Sequence, residues 1–120
     1  NQPRAAQPYL RRALAEARRV REPVQEFSTL AAWAAGLRRS RPDTARTLAE
    51  QALRLARTRL ANDDNQASAI TYAQLVLMQV AQQQQRWPDA LALSRQVAAG
   101  ARRDANREFE AEVLTTQAQA

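Results

Sequence analysis

The sequence contains no cysteine, which excludes disulfides and thiolate metal sites. It contains no histidine either, which removes the commonest catalytic base and the commonest metal ligand. Two glycines in 120 residues leave no room for a glycine-rich loop of the kind that cradles phosphates. No apolar run approaches the ~20 residues needed to span a bilayer. No charged, then apolar, then small-residue leader opens the chain, so the expectation is a cytoplasmic protein, although a start at Asn1 leaves room for a leader already removed. Lysine is absent: all 18 basic residues are arginine, against 12 acids, for a net charge of +6. That balance permits acidic partners or nucleic acid without demanding them.

What is present points to helices. Hydrophobic residues make up 45% and charged residues 25%, and 27 residues are alanine. Alanine, leucine, glutamine and arginine are strong helix formers. The length suits one domain with a real core. The expected class is all-α, with residues 1–120 as a single helical domain.

One pattern occurs three times. Ala6, Ala45 and Ala90 are followed three residues later by Tyr9, Leu48 and Leu93. Seven residues on come Ala13, Ala52 and Val97; eleven on come Ala17, Ala56 and Ala101, each followed by an arginine (Arg18, Arg57, Arg102). These spacings define one face of a helix. The copies lie 39 and 45 residues apart, a period that signals a helical repeat array. Between them run two other apolar stripes. Val24, Phe27, Leu30, Ala31, Ala34 and Leu37 make the first; Ile70, Ala73, Val76, Leu77, Val80 and Ala81 make the second. Each repeat thus reads as an A helix, a turn, and a B helix carrying the repeated pattern. Pro23, Pro42 and Pro88 suit first turns, and Asn62-Asp63-Asp64-Asn65 breaks the chain. Six helices are predicted, over residues 3–20, 23–39, 42–60, 65–85, 88–103 and 105–119.

This pattern resembles the tetratricopeptide-repeat superfamily, in the B-helix positions Ala45, Leu48, Ala49 and Ala52 and in "RWPDALAL". Trp33 and Tyr72 fall outside that family's A-helix register, and the spacing exceeds its ~34 residues. Longer repeats of this sort are similar to the sensor arrays of bacterial ATP-dependent transcriptional regulators of the maltose-activator type, most closely over "WPDALALSRQVAAGARRDANREFEAEVL". The resemblance implies antiparallel helix pairs stacked as a short right-handed solenoid.

No constellation of residues points to catalysis, a metal or a cofactor. Asp63-Asp64 reads as a turn, and Glu108, Glu110 and Glu112 as a solvated helix face. The arginines cluster where helices should end, at Arg18, Arg19 and Arg21, at Arg38, Arg39 and Arg41, at Arg57 and Arg59, and at Arg102 and Arg103. There they would cap free carbonyls and oppose the macrodipole. That scattered placement argues against specific nucleic-acid binding. The glutamine run before Trp87 reads as the polar end of helix 4.

A binding surface would lie on the concave side, lined by the A helices. In helix 4 the side away from the apolar stripe carries Thr71, Tyr72, Leu75, Gln79 and Gln82; in helix 2 it carries Gln25, Glu26, Thr29, Trp33 and Gly36. Gln74 falls near the apolar side, with no partner evident. The expected function is a non-catalytic scaffold that binds a peptide or protein segment on this face. The alternatives are an effector-sensing segment of a bacterial regulator and arginine-mediated contact with nucleic acid. Helix 1 is a B helix without its A helix, and helix 6 an A helix without its B helix. They predict a piece of a longer array that self-associates through Tyr9, Leu10 and Leu14 or through Phe109, Val113 and Leu114.

Overall fold

The computed structural model describes residues 2–120, with side chains from residue 8 onward. The side chain of Ala6 therefore lies outside the described residues. Six helices follow one another: α1 (Gln2–Arg19), α2 (Pro23–Leu37), α3 (Pro42–Arg59), α4 (Gln66–Gln83), α5 (Trp87–Arg103) and α6 (Arg107–Gln119). Among the described residues there is no strand. Among the described residues no helix is long and apolar enough to cross a membrane.

Local chemistry sets the boundaries. Proline occupies the first turn of α2, α3 and α5, where its missing N–H costs nothing. The Asn106 side chain accepts a hydrogen bond from the Phe109 N–H at 3.1 Å, capping α6. Asp63 accepts from the Asn65 N–H at 2.8 Å, closing a side-chain turn between α3 and α4. The C-termini differ from expectation. Among the described residues, only Arg38 donates from its guanidinium to a backbone carbonyl, that of Ala35 at 2.7 Å. The Gln66 amide reaches the last turn of α3 instead, donating to the Ala56 and Arg57 carbonyls. Three other ends close with a left-handed residue: Arg21, Gln85 and Ala105, at φ 57°, 59° and 53°. In each, the following N–H bonds five residues back, Glu22 to Ala17, Arg86 to Ala81 and Asn106 to Ala101. This is the closure that glycine normally provides, and it leaves the arginines free of the capping role.

The helices alternate in direction. Ser68 meets Asp104, Thr71 meets Gly100 and Gln74 meets Gln96, so α4 and α5 run antiparallel. Gln79 meets Glu112 and Gln82 meets Thr116, so α4 and α6 run parallel. Every helix packs on its neighbours in sequence; α2 also packs on α4, and α4 on α6. Among the described residues α1, α3 and α5 do not pack on one another. The result is two layers, α2/α4/α6 and α1/α3/α5, in a body of 42 × 35 × 20 Å. Its thin dimension matches two layers of helices.

In α3 the repeated face is buried as its pattern predicts, whereas Tyr9 of the α1 copy is 70% exposed. Ala45, Ala49, Ala52 and Ala56 of α3 are buried against α2 and α4 residues such as Leu30, Ala34, Ala73 and Val76. Small side chains there bring backbones close. At α5 the approach is close enough that a Cβ on Gly100 would stand 2.0 Å from Thr71 Oγ1. The main core spans α1 to α4, and a smaller one of Leu75, Met78, Val97 and Val113 joins α4, α5 and α6. Helix α4 is central to both and buried on nearly every side.

Candidate binding groove

Building the A-helix layer from its residues corrects the expected open face. Thr71 and Leu75 are buried, not open, because α5 and α6 fold back over that side of α4. Thr71 lies under Gly100 and donates to the Ala67 carbonyl at 3.1 Å. Tyr72 is half-buried and stacks on Phe109, with ring centroids 6.2 Å apart and planes 21° from parallel. In α2, Thr29 is buried and Gln25 exposed. Trp33 is half-buried against the core, with its indole N–H enclosed and unpartnered. Glu26, expected on the same face, is 7% exposed. Its carboxylate accepts from Arg18 Nε at 3.0 Å and Arg59 Nη1 at 3.4 Å, tying α1, α2 and α3 together. Gln74 finds its partner in Gln96, donating to Oε1 at 3.1 Å.

Of the expected site residues, Gln79 and Gln82 line an open cavity among the described residues. It is a groove of about 390 Å³ at the end of the layer where α2 and α4 terminate. The α2–α3 turn supplies Arg38 and Arg39. The last turns of α4 supply Gln79, Gln82 and Gln83, and the α4–α5 junction supplies Gln85 and Trp87. Glu112 and Gln119 of α6 close it. Seven residues make about two helical turns, so Glu112 and Gln119 share one face of α6 and line the same groove.

The hydrogen bonds show which groups are committed. Gln82 is engaged at both ends: its oxygen accepts from Thr116 Oγ1 at 3.0 Å, and its amide nitrogen donates to Gln119. Gln79 donates to Glu112 at 3.4 Å, a weak bond. Arg38 has spent one N–H on Ala35. Arg39, Gln83, Gln85 and the rest of the Arg38 fork keep their capacity for a ligand. The groove thus presents two guanidinium groups, free amides and one carboxylate, with Trp87 as its apolar edge. Arg38 and Arg39 read from the sequence as helix caps, a role that Arg38 fills; their place on the groove wall was not expected. That Gln83 and Gln85 share a groove with Glu112 was hidden because α6 is separated from them by all of α5.

The perturbed carboxylates lie elsewhere. A hydrogen bond from Arg103 holds the Asp104 carboxyl below its ordinary value, helped by Ser68. A hydrogen bond and the charge of Arg19 do the same for Glu16. Among the described residues no group of three or more acids is arranged to hold a metal ion.

Phe109 and Val113 are seated against α4 and α5, so the expected apolar face of α6 shrinks to Leu114, which is 66% exposed. On α1, Leu14 is buried, Leu10 is half-buried and Tyr9 is 70% exposed. Comparison with family models, with curated proteins and with solved structures finds no match to this chain.

Proposed function

We propose that the chain is a non-catalytic, cytoplasmic interaction module. On this reading it is a short right-handed solenoid of TPR-like helix pairs that holds a polar peptide segment of a protein partner in the groove between α2, α4 and α6. The packing of α2 on α4 on α6, with no comparably close backbone approach among the described residues of α1, α3 and α5, favours curvature with the A-helix layer inside. The observation that carries the reading is the groove's lining: Arg38 and Arg39 beside free glutamine amides, facing Glu112. Guanidinium forks bind carboxylates bidentately, and glutamine amides donate to and accept from an extended backbone. Glu112 suits a donor further along the same segment. A peptide with an acid at one end and amide or hydroxyl side chains beyond it matches this order.

A second reading has one observation in its favour. At about 390 Å³ the groove also falls in the size range of small-ligand sites. A small polar effector would suit the sensor arrays that the sequence resembles.

Peptide display on the purified chain, followed by calorimetry, tests the first reading. Selected peptides are expected to lose at least tenfold in affinity with Arg38→Ala/Arg39→Ala and to keep it with Tyr9→Ala. Selected peptides indifferent to both arginines would defeat it. Binding of a small polyanion at the same arginines, with no peptide enriched, would favour the effector.

A further inference from the structure

We propose that the layer formed by α1, α3 and α5 is a second binding surface, which takes the phosphate backbone of duplex DNA without reading its sequence. The basis is a segregation of charge between the two layers. Among residues 8–120, α1, α3 and α5 carry eleven arginines against four carboxylates, a surplus of seven. Helices α2, α4 and α6 carry one arginine against four carboxylates. Helix α4 has no charged residue at all.

All eleven of those arginines are exposed. Six of them, Arg11, Arg12, Arg54, Arg57, Arg95 and Arg102, have no carboxylate within 4.0 Å among the described residues. Of the four acids in this layer, Glu16, Glu50 and Asp89 are each tied to an arginine. The repeat adds order. Arg18, Arg57 and Arg102 each follow a buried alanine at the same register. Alternation of direction makes α1, α3 and α5 parallel, so these three arginines form one row.

The chemistry of the face selects the partner. Guanidinium groups match phosphate geometry better than ammonium groups do. Single-stranded nucleic acid calls for aromatic platforms, and Tyr9 is the one aromatic here that is largely exposed. Double-stranded RNA is recognised largely through its 2′-hydroxyls. Here Ala15, Ala92 and Ala99 are exposed beside the arginines, and the exposed Thr47 and Thr58 hydroxyls already donate to carbonyls of their own helix, which leaves Thr44 and Gln96 as scattered polar groups. A membrane surface would call for an apolar stripe beside the charges, and α3 and α5 expose no large apolar residue. What remains is an array of forks facing a regular row of phosphates. It lies on the opposite layer from the groove and does not depend on that site.

Fluorescence anisotropy with a labelled random-sequence DNA duplex in low salt tests this. Six engaged arginines predict a slope of log K against log salt of about −5, from roughly 0.9 per phosphate. Arg54→Ala/Arg57→Ala/Arg102→Ala is expected to weaken binding by about tenfold or more and to flatten the slope to roughly −3. All three side chains are exposed, so circular dichroism should show the fold retained. Arg38→Ala/Arg39→Ala is expected to change little. No duplex binding, an equal loss in the Arg38/Arg39 pair, or tighter binding of the matching single strand or RNA duplex would each overturn the proposal. So would capture by phosphatidylserine vesicles with no retention of DNA.

Discussion

Gly100 of α5 lies against Thr71 of α4 so closely that a Cβ there would meet Thr71 Oγ1 at 2.0 Å, Cγ2 at 2.8 Å and Cβ at 3.0 Å. No rotamer of Thr71 relieves the last of these. Gly100→Ala is therefore expected to lose about 1–3 kcal/mol by forcing α4 and α5 apart, although alanine is intrinsically the better helix former. Chemical denaturation measures the loss. Adding Thr71→Ala should recover only part of it, and full additivity of the two changes would show that the helices do not touch there.

Three turns place a side-chain-bearing residue in the left-handed region, at Arg21, Gln85 and Ala105. Each holds roughly 1–2 kcal/mol of strain, and glycine would remove it at some entropic cost in the unfolded chain. Arg21→Gly, Gln85→Gly and Ala105→Gly should each stabilise the fold by about 0.5–1 kcal/mol, and nearly additively, because the sites are far apart. Thermal unfolding of the triple variant checks this. A lower midpoint would mean that the turns are not strained.

The six helices were legible in the sequence because their signals are local. Pro23, Pro42 and Pro88 mark starts, and the Ala45–Ala56 face repeats at helical spacing. The buried environment of Thr71 and Leu75 was not read, because a wheel with one apolar stripe cannot say whether a helix lies in the middle of a bundle. One signal was available: no charge anywhere in Gln66–Gln83, the mark of a helix covered on all sides. The burial of Glu26 had no such signal. Its partners Arg18 and Arg59 lie 8 and 33 residues away, and only the fold brings them together.

The Glu26 carboxylate links α1 to α3 through Arg18 and Arg59. Removing it leaves two arginines that can rehydrate, since their side chains are 53% and 48% exposed. Glu26→Gln is expected to cost about 1–2 kcal/mol and to lower hydrogen-exchange protection in α1 first. Unchanged exchange in α1 would show that the bridge is not formed in solution.

Repacking separates core from groove. Ala52 is fully buried on the repeated face, so Ala52→Trp should abolish cooperative unfolding. Gln79 makes one long bond at the groove rim, and Gln79→Ala should stay within about 0.5 kcal/mol of the parent. Calorimetry on both decides it, and equal losses would reverse the assignment of faces.

The Asp104 carboxyl offers a pH readout. Its folded-state value is depressed by Arg103 and Ser68, so its contribution is present above the unfolded value of ~3.9 and fades as pH falls through the lower, folded one. Side-chain NMR should place the midpoint below ~3.9, and Arg103→Gln should raise it. The group is exposed, so the effect on overall stability should be small.

Every helix packs only on helices one or two places away in the chain. Few distant segments must therefore find each other during folding, and the entropic cost of closing long loops is largely avoided. Such a chain has low contact order and should fold in the microsecond-to-millisecond range. The buried residues of the larger core all lie within α1 to α4 and an adjoining turn, which predicts a ribosome-emerging chain that settles α1 to α4 before its last two helices exist.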